Sequence, residues 1–258
     1  MAVRTAQSKE AGRVPLPLTS RHDRWWIKPL LTVIVLGGFA LWATFRAFEY
    51  QYFEVGPYLT PFYSPLLPID LSFGTIPISP ALYILIFPLG FRLTCYYYRL
   101  AYYRAFFWDP PACAVSEPAK RKGYTGERFF PFILQNIHRW AFYAAAIFIV
   151  ILSYDAIRSL FWADGFHLGV GTILMFANVG LLALYTFSCH SFRHLIGGRV
   201  NCYSCSLASR TRFGIWKQVS FLNTRHSLYA WASLISVIVV DVYIRFYASG
   251  VIEDFRFF

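Results

Sequence analysis

The chain has 258 residues, of which 57 % are hydrophobic and only 14 % are charged, whereas a typical soluble domain is about 25 % charged. This composition excludes an ordinary water-soluble fold, which could not bury so much apolar surface, and predicts an integral membrane protein. The net charge of +11 does not indicate a nucleic-acid partner, because the basic residues lie between apolar segments, where they are expected to face anionic membrane lipid.

Five apolar segments are each long enough to cross a bilayer, which takes about 20 residues. Residues 1–27 are polar and are predicted to be a cytoplasmic N-terminal segment without a signal peptide. Residues 28–258 are predicted to form one all-α domain, a polytopic bundle of five transmembrane helices. The predicted spans are 28–48, 81–100, 141–160, 168–189 and 228–248, with the third helix beginning near residue 132 and the fourth continuing to residue 196.

The distribution of Lys and Arg predicts the orientation. With the N-terminus in the cytoplasm, 20 of the 24 basic residues fall on the cytoplasmic side, and only Arg46, Arg158, Arg245 and Arg256 fall outside. Cytoplasmic loops of membrane proteins carry such an excess of basic residues. The C-terminus is therefore predicted to lie outside.

Two carboxylates, Asp155 and Asp241, lie within predicted spans. An ionised group in the bilayer is costly and needs a partner. Each has a basic residue about one helical turn further on, Arg158 or Arg245, so we predict local ion pairs.

Most Cys and His residues fall at the inner ends of the predicted helices. Thiolates and imidazoles that share one depth on four helices predict a common metal site on the cytoplasmic side. This layer contains His138, His190, His194, His226, Cys95, Cys113, Cys189, Cys202 and Cys205.

Spacing alone favours one quartet in this layer. His190 and His194 share a helix face, and Cys202 and Cys205 have the C-x2-C spacing of chelating pairs. Two thiolates with two imidazoles suit structural zinc or a Rieske-type [2Fe–2S] cluster. No disulfide is expected, since the cytoplasm is reducing.

Two other hypotheses remain open. A single b-type haem could be held by His226 with His138 or His190, whereas a second haem would need another His pair near the outer side, where only His167 lies. The intramembrane carboxylates also allow a non-redox protein, either a transporter or a zinc-stabilised scaffold.

Aromatic residues are concentrated at the predicted inner interface. They are expected to form an interfacial belt, and the same belt could form a flat quinone pocket. The predicted quinone-binding residues are Trp25, Tyr97 and Arg99, where a Tyr hydroxyl or the Arg99 guanidinium would bond a quinone carbonyl.

Five stretches carry a family resemblance. They are FRLTCYYYRLAYYRAFFWDPPACAVSEP (91–118), ILQNIHRWAFY (133–143), CHSFRHLIGGR (189–199), LNTRHSLYAW (222–231) and the terminal YASG…FRFF (247–258). Together they resemble the membrane anchor of actinobacterial succinate dehydrogenase, respiratory complex II, from about residue 91 to the C-terminus.

The resemblance implies an SdhC-type subunit in a bacterial plasma membrane. Such a subunit docks a flavoprotein and an iron–sulfur subunit on its cytoplasmic face and has no complete active site of its own. Electrons from succinate would pass through the iron–sulfur subunit and a membrane-embedded Rieske-type [2Fe–2S] cluster to menaquinone. A higher oligomer of the complex is left open.

The resemblance also implies a set of ligands. The family motif Cys-His-Ser-Cys-Arg-His departs here at its second Cys, which is Phe192. Four ligands are expected from the family-matched residues, with Cys202 and Cys205 as alternates. The family-matched residues are His138, His190, His194, His226, Cys95, Cys113 and Cys189.

Overall fold

The structure is a computed structural model that describes most of the chain. Residues 1–23, Trp25 and Cys113 lie outside the described residues. The description covers residues 24, 26–66, 72–73, 76–77, 79–106, 129, 132–198 and 200–257.

The described residues fold mainly into helices. In chain order these are α1 (Ile27–Glu49), α2 (Pro80–Ile84), α3 (Ile86–Thr94), α4 (Tyr96–Phe106), a 3-10 turn (Phe132–Ile137), α5 (His138–Arg158), α6 (Val170–Phe187), α7 (His190–Gly197), α8 (Leu207–Asn223) and α9 (His226–Ala248). Three short antiparallel hairpins are β1 (Glu54–Val55) with β2 (Tyr58–Leu59), β3 (Ser72–Phe73) with β4 (Ile76–Pro77), and β5 (Phe161–Trp162) with β6 (Gly165–Phe166). The predicted all-α polytopic class is confirmed.

Four helices, α1, α5, α6 and α9, are each long and apolar enough to cross a bilayer. Their packing is closest between α6 and α9, and α5 packs against both α3 and α6. A fifth span results if the bent pair of α2–α3 and α4 is counted as one.

The second predicted span is not a continuous helix, so the prediction of one helix over 81–100 was wrong. The segment Pro80–Thr94 and the following helix are bent by 78°. The break is at Cys95, whose backbone is extended with φ −63° and ψ 127°. Just before it, the Thr94 hydroxyl donates to the carbonyl of Gly90 at 2.7 Å, a bond that favours bending of a helix.

The fourth span also breaks, so the prediction of a helix continuing to residue 196 was wrong. Helix α6 ends at Phe187, and α7 begins at His190. Between them Cys189 has extended backbone, with φ −66° and ψ 147°. The two helix breaks therefore each contain a cysteine.

Helix α8 was not expected from the sequence. Its N-cap is Ser206, whose side chain accepts a hydrogen bond from the Ser209 amide at 3.1 Å. Trp216 of α8 packs closely against Gly197, where an added Cβ would lie 2.5 Å from the indole. A glycine at this position thus lets α7 and α8 approach each other.

The intramembrane carboxylates have other partners than those predicted. Asp241 accepts from Arg46 Nε at 3.0 Å and from the Thr60 hydroxyl at 2.7 Å, while Arg245 pairs with Glu49 at 2.6 Å. The predicted Asp241–Arg245 pair was wrong, because helix packing brings α1 beside α9 and supplies nearer charges.

Asp155 also has a partner other than the predicted Arg158. It accepts a hydrogen bond from Ser64 in the loop after β2, and no ion pair with Arg158 occurs among the described residues. The same loop holds Thr60, the partner of Asp241. This loop is therefore hydrogen-bonded to both α5 and α9 at the end of the bundle opposite the helix breaks.

Candidate metal centre

Two Cys–His pairs meet where the helices break or begin. His138 Nε2 lies 3.0 Å from Cys189 Sγ, and His226 Nε2 lies 3.5 Å from Cys95 Sγ. His138 and His226 are the first residues of α5 and α9, while the two cysteines occupy the breaks. All four line one open cavity of about 670 Å³, here called the Cys–His cavity.

A hydroxyl fixes the other ring nitrogen of each imidazole. Thr94 Oγ1 lies 2.9 Å from His138 Nδ1, and Ser188 Oγ lies 2.8 Å from His226 Nδ1. Each of these hydroxyls immediately precedes one of the cysteines in the chain. The same break in the helix thus presents both a thiol and a hydroxyl to histidines on other helices.

A second contact of each hydroxyl favours one tautomer of the imidazole. Thr94 Oγ1 also lies 2.7 Å from the Gly90 carbonyl, and Ser188 Oγ lies 3.2 Å from the Tyr185 carbonyl. A hydroxyl that donates to a carbonyl accepts from the imidazole Nδ1–H, and the Nε2 lone pair is then free to face the thiol. Such hydrogen bonds to the far nitrogen are usual for histidines that bind metals.

Aromatic rings hold both imidazoles in place. The Phe91 ring stacks on His138 with centroids 4.9 Å apart, and the Tyr185 ring stacks on His226 at 5.0 Å. Phe91 and Tyr185 belong to the same buried cluster as the two cysteines. The imidazoles are therefore fixed in orientation by stacking as well as by hydrogen bonds.

The structure brings together four of the seven family-matched residues, namely Cys95, His138, Cys189 and His226. His190 is an exposed residue on the rim of the Cys–His cavity. His194 is also exposed and lies beside Gly198, away from the two pairs. Within the described residues neither forms a hydrogen bond with the paired thiols, and Cys113 lies outside those residues.

The alternate ligands Cys202 and Cys205 form a disulfide. The expectation of reduced cysteines in this loop was therefore wrong. The two residues are close enough along the chain to pair with each other, and a disulfide sulfur has no thiolate charge with which to bind a metal. Cys95 and Cys189 are free thiols.

The donors do not form a site for a single ion. Within the part of the chain that the structure describes, no three His, Cys, Asp or Glu side chains come close enough together to hold one metal. The donors instead occur as two separate Cys–His pairs facing one cavity.

A second cavity adjoins the Cys–His cavity at Tyr97. It has a volume of about 620 Å³, lies between α1, α4 and α9, and is here called the Tyr97–Trp231 cavity; its lining includes Lys28, Leu31, Leu100 and Ile235. The Tyr97 hydroxyl accepts a hydrogen bond from Trp231 Nε1 at 2.7 Å, and its ring lies edge-on to His226 with centroids 6.5 Å apart.

The three predicted quinone residues thus have different positions. Tyr97 lines both cavities, whereas the Arg99 guanidinium lies over the Tyr96 ring at 4.3 Å. Trp25 lies outside the described residues. Trp231 was missed by sequence reasoning, although it stands in the LNTRHSLYAW stretch, about one and a half turns after His226 on the same helix.

The fold and the site define a polytopic helical membrane protein with thiols and imidazoles gathered at one end of its bundle. The chain belongs to the actinobacterial succinate dehydrogenase subunit SdhC family, whose model matches residues 27–250. It is also similar to a chain of the Mycobacterium smegmatis Sdh1 complex in the apo form, with 46 % identity and a TM-score of 0.83 over 95 % of this chain and 97 % of that one. A comparison with curated proteins found no match. The family resemblance seen in the sequence is thereby confirmed, and the chain is an SdhC-type membrane anchor.

Proposed function

We propose that this anchor passes electrons from the iron–sulfur subunit of its complex to menaquinone through a Rieske-type [2Fe–2S] cluster bound by Cys95, His138, Cys189 and His226. The observation that supports this proposal best is the state of the two imidazoles. Both have Nδ1 occupied by a hydroxyl and Nε2 directed at a thiol. A cluster of this type supplies a one-electron carrier, and its two His ligands raise the reduction potential above that of an all-Cys cluster.

The donor set fits this group chemically. Two soft thiolates and two imidazoles are what a Rieske-type centre requires, and they are complete without a cysteine at position 192. Phe192 packs instead against Phe142, with ring centroids 5.6 Å apart, at the edge of the buried cluster. The departure from the family motif therefore removes no donor from the two pairs.

The protein's own groups would keep these ligands ready for metal. Thr94 and Ser188 would accept from the Nδ1–H groups, so they would hold the ring orientation and keep the proton on Nδ1, which leaves Nε2 free for a metal. Phe91 and Tyr185 restrict rotation of the rings by stacking on them. Such outer contacts raise the basicity of a histidine ligand and fix the orientation of its ring.

We further propose that the quinone binds in the Tyr97–Trp231 cavity. Its volume of about 620 Å³ is in the range of small-molecule sites, and its lining is largely apolar. The Tyr97 hydroxyl is the polar group that a quinone carbonyl would meet there. Since Tyr97 also borders the Cys–His cavity, the bound ring would be separated from His226 by little more than one side chain.

The same geometry suggests where the other subunits dock. An electron must reach the Cys–His cavity from outside the bilayer, so the iron–sulfur subunit would cover the end of the bundle where α7 and α8 lie, with the flavoprotein beyond it. This end is strongly basic, and positive residues are expected on the cytoplasmic side of a bacterial plasma membrane. Basic side chains on and beside these helices are Arg193, Arg210, Arg212, Lys217 and Arg225.

The test uses the whole complex purified from membranes. Metal analysis and EPR of wild type should show about two irons beyond those of the iron–sulfur subunit, together with a Rieske-type signal. The variant His226→Ala should lose both, whereas His194→Ala, which changes an exposed histidine outside the pairs, should retain both. A wild-type complex with no additional iron would contradict the cluster. A Soret band would indicate haem instead, and stoichiometric zinc would indicate a scaffold.

A further inference from the structure

A cation without a carboxylate partner lies one helical turn before Cys95. Arg92 of α3 donates to the Tyr98 hydroxyl at 2.7 Å and to the Ser233 hydroxyl at 3.1 Å, and it also reaches the Ala230 carbonyl at 3.3 Å. All three acceptors are neutral. Among the residues described by the structure, no Asp or Glu side chain pairs with this guanidinium.

The other arginines inside the bundle differ in this respect. Arg46 is paired with Asp241 and Glu49, and Arg245 is paired with Glu49. A charge placed in a membrane bundle pairs with an opposite charge or with backbone carbonyls, and neutral acceptors leave its positive charge uncancelled. The exception at Arg92 therefore points to an anion that binds nearby or forms nearby.

Arg92 is also directed toward the metal ligands. Its guanidinium carbon lies over the Tyr185 ring at 4.7 Å, and that ring stacks on His226 at 5.0 Å, so the cation is within about 10 Å of the imidazole, where a unit charge acts strongly in a low-dielectric interior. The anions that this position would face are the thiolates of Cys95 and Cys189, which metal binding requires to be deprotonated.

We infer that Arg92 is a positioning residue that stabilises the negative charge of the reduced centre and so raises its affinity for an electron. This inference rests on the proposed cluster. When an electron arrives, the centre becomes one unit more negative, while Arg92 remains positive and fixed by its three hydrogen bonds. The reduced form is therefore favoured, and the electron is drawn from the iron–sulfur subunit into the membrane.

The experiment is a redox titration of the purified complex with dithionite and mediators, followed by EPR of the Rieske-type signal. For Arg92→Gln, which removes the charge, we expect the equilibrium constant for one-electron reduction to fall about tenfold, equivalent to about 59 mV. For Arg92→Lys, which keeps the charge, the shift should be less than half as large. Ser233→Asp, which gives Arg92 a counter-ion, should lower the potential in the same direction even if Arg92→Gln does not assemble.

Arg245→Gln is the matched control, because it removes an arginine at the far end of α9 and should leave the potential unchanged. Iron content is measured in every variant. A potential that stays at the wild-type value in Arg92→Gln or Ser233→Asp, with iron retained, would overturn the role of Arg92 alone. Equal shifts in Arg92→Lys and Arg92→Gln would also overturn it, since the effect would then follow from packing and not from charge. Absence of any Rieske-type signal in wild type would overturn the proposed cluster, and this inference with it.

Discussion

The ion pair between Arg46 and Asp241 provides the most direct test of how the bundle is held together at the end opposite the Cys–His cavity. Both side chains are fully buried, and Asp241 accepts from Arg46 Nε, from Thr60 and from Trp42 Nε1 at 2.7 to 3.2 Å. Arg46→Met removes the one charged donor that Asp241 has among the described residues and leaves a buried carboxylate with two neutral donors. Breaking a buried pair in this way costs about 3–5 kcal/mol.

The double variant Arg46→Met with Asp241→Leu separates two contributions. The stability lost in Arg46→Met is expected to come from the Asp241 carboxylate that is left without its cation. Removing that carboxylate should then restore much of the stability, because a well-packed apolar pair can replace a buried ion pair. Glu49 is left in both variants and keeps Arg245 as its partner. The Glu49–Arg245 ion pair is therefore the same in the single and the double variant.

The assay is thermal unfolding of the purified complex in detergent, followed by loss of near-ultraviolet circular dichroism. Arg46→Met should lower the Tm by about 10 °C, using the usual conversion for a chain of this length. The double variant should recover at least half of that. A double variant as unstable as the single one would refute the reasoning, because the cost would then come from lost packing around the arginine and not from the charge left behind.

Three further predictions concern the other end of the bundle. Thr94→Val and Ser188→Ala each remove an acceptor for an imidazole Nδ1–H, so iron should be lost to a chelator at about 10–100-fold lower concentration than in wild type; equal resistance would show that these hydroxyls do not support the ligands. Replacing both Cys202 and Cys205 by Ser should leave the iron content unchanged, and a loss of iron would identify them as ligands after all. Tyr97→Phe should raise the KM for quinone about fivefold, the equivalent of one hydrogen bond, with iron retained; an unchanged KM in steady-state quinone reduction would place the quinone elsewhere.

The sequence was sufficient to predict the four long apolar helices α1, α5, α6 and α9, because their length and apolar composition depend on the bilayer and not on neighbouring helices. It was not sufficient to predict the breaks at Cys95 and Cys189. Neither site has an adjacent Gly or Pro, and both lie in apolar and aromatic stretches that read as continuous helix. The extended backbone there is accompanied by contacts that Thr94 and Ser188 make with histidines on other helices.

The sequence predicted at which end of the bundle the candidate site lies, but not which of its residues meet there. Seven family-matched residues were placed near one interface, and the four that meet depend on which helices are neighbours. A signal was nevertheless present in the chain, because a hydroxyl residue precedes each of the two paired cysteines, Thr94 before Cys95 and Ser188 before Cys189. The partner of Asp241 could not be predicted for the same reason, since Arg46 lies 195 residues away in the sequence while Arg245 is one turn along the same helix.

The two ends of the bundle use buried arginines in opposite ways. At one end Arg46 and Arg245 face carboxylates, so each charge is largely cancelled and its effect is to bind α1 to α9. At the other end, within the described residues, Arg92 faces neutral oxygens and two aromatic rings, so its field extends toward His226. A compensated cation adds stability and would change little if an electron arrived nearby. An uncompensated cation costs stability until negative charge appears beside it, and under the proposed function that cost would make the arrival of an electron favourable.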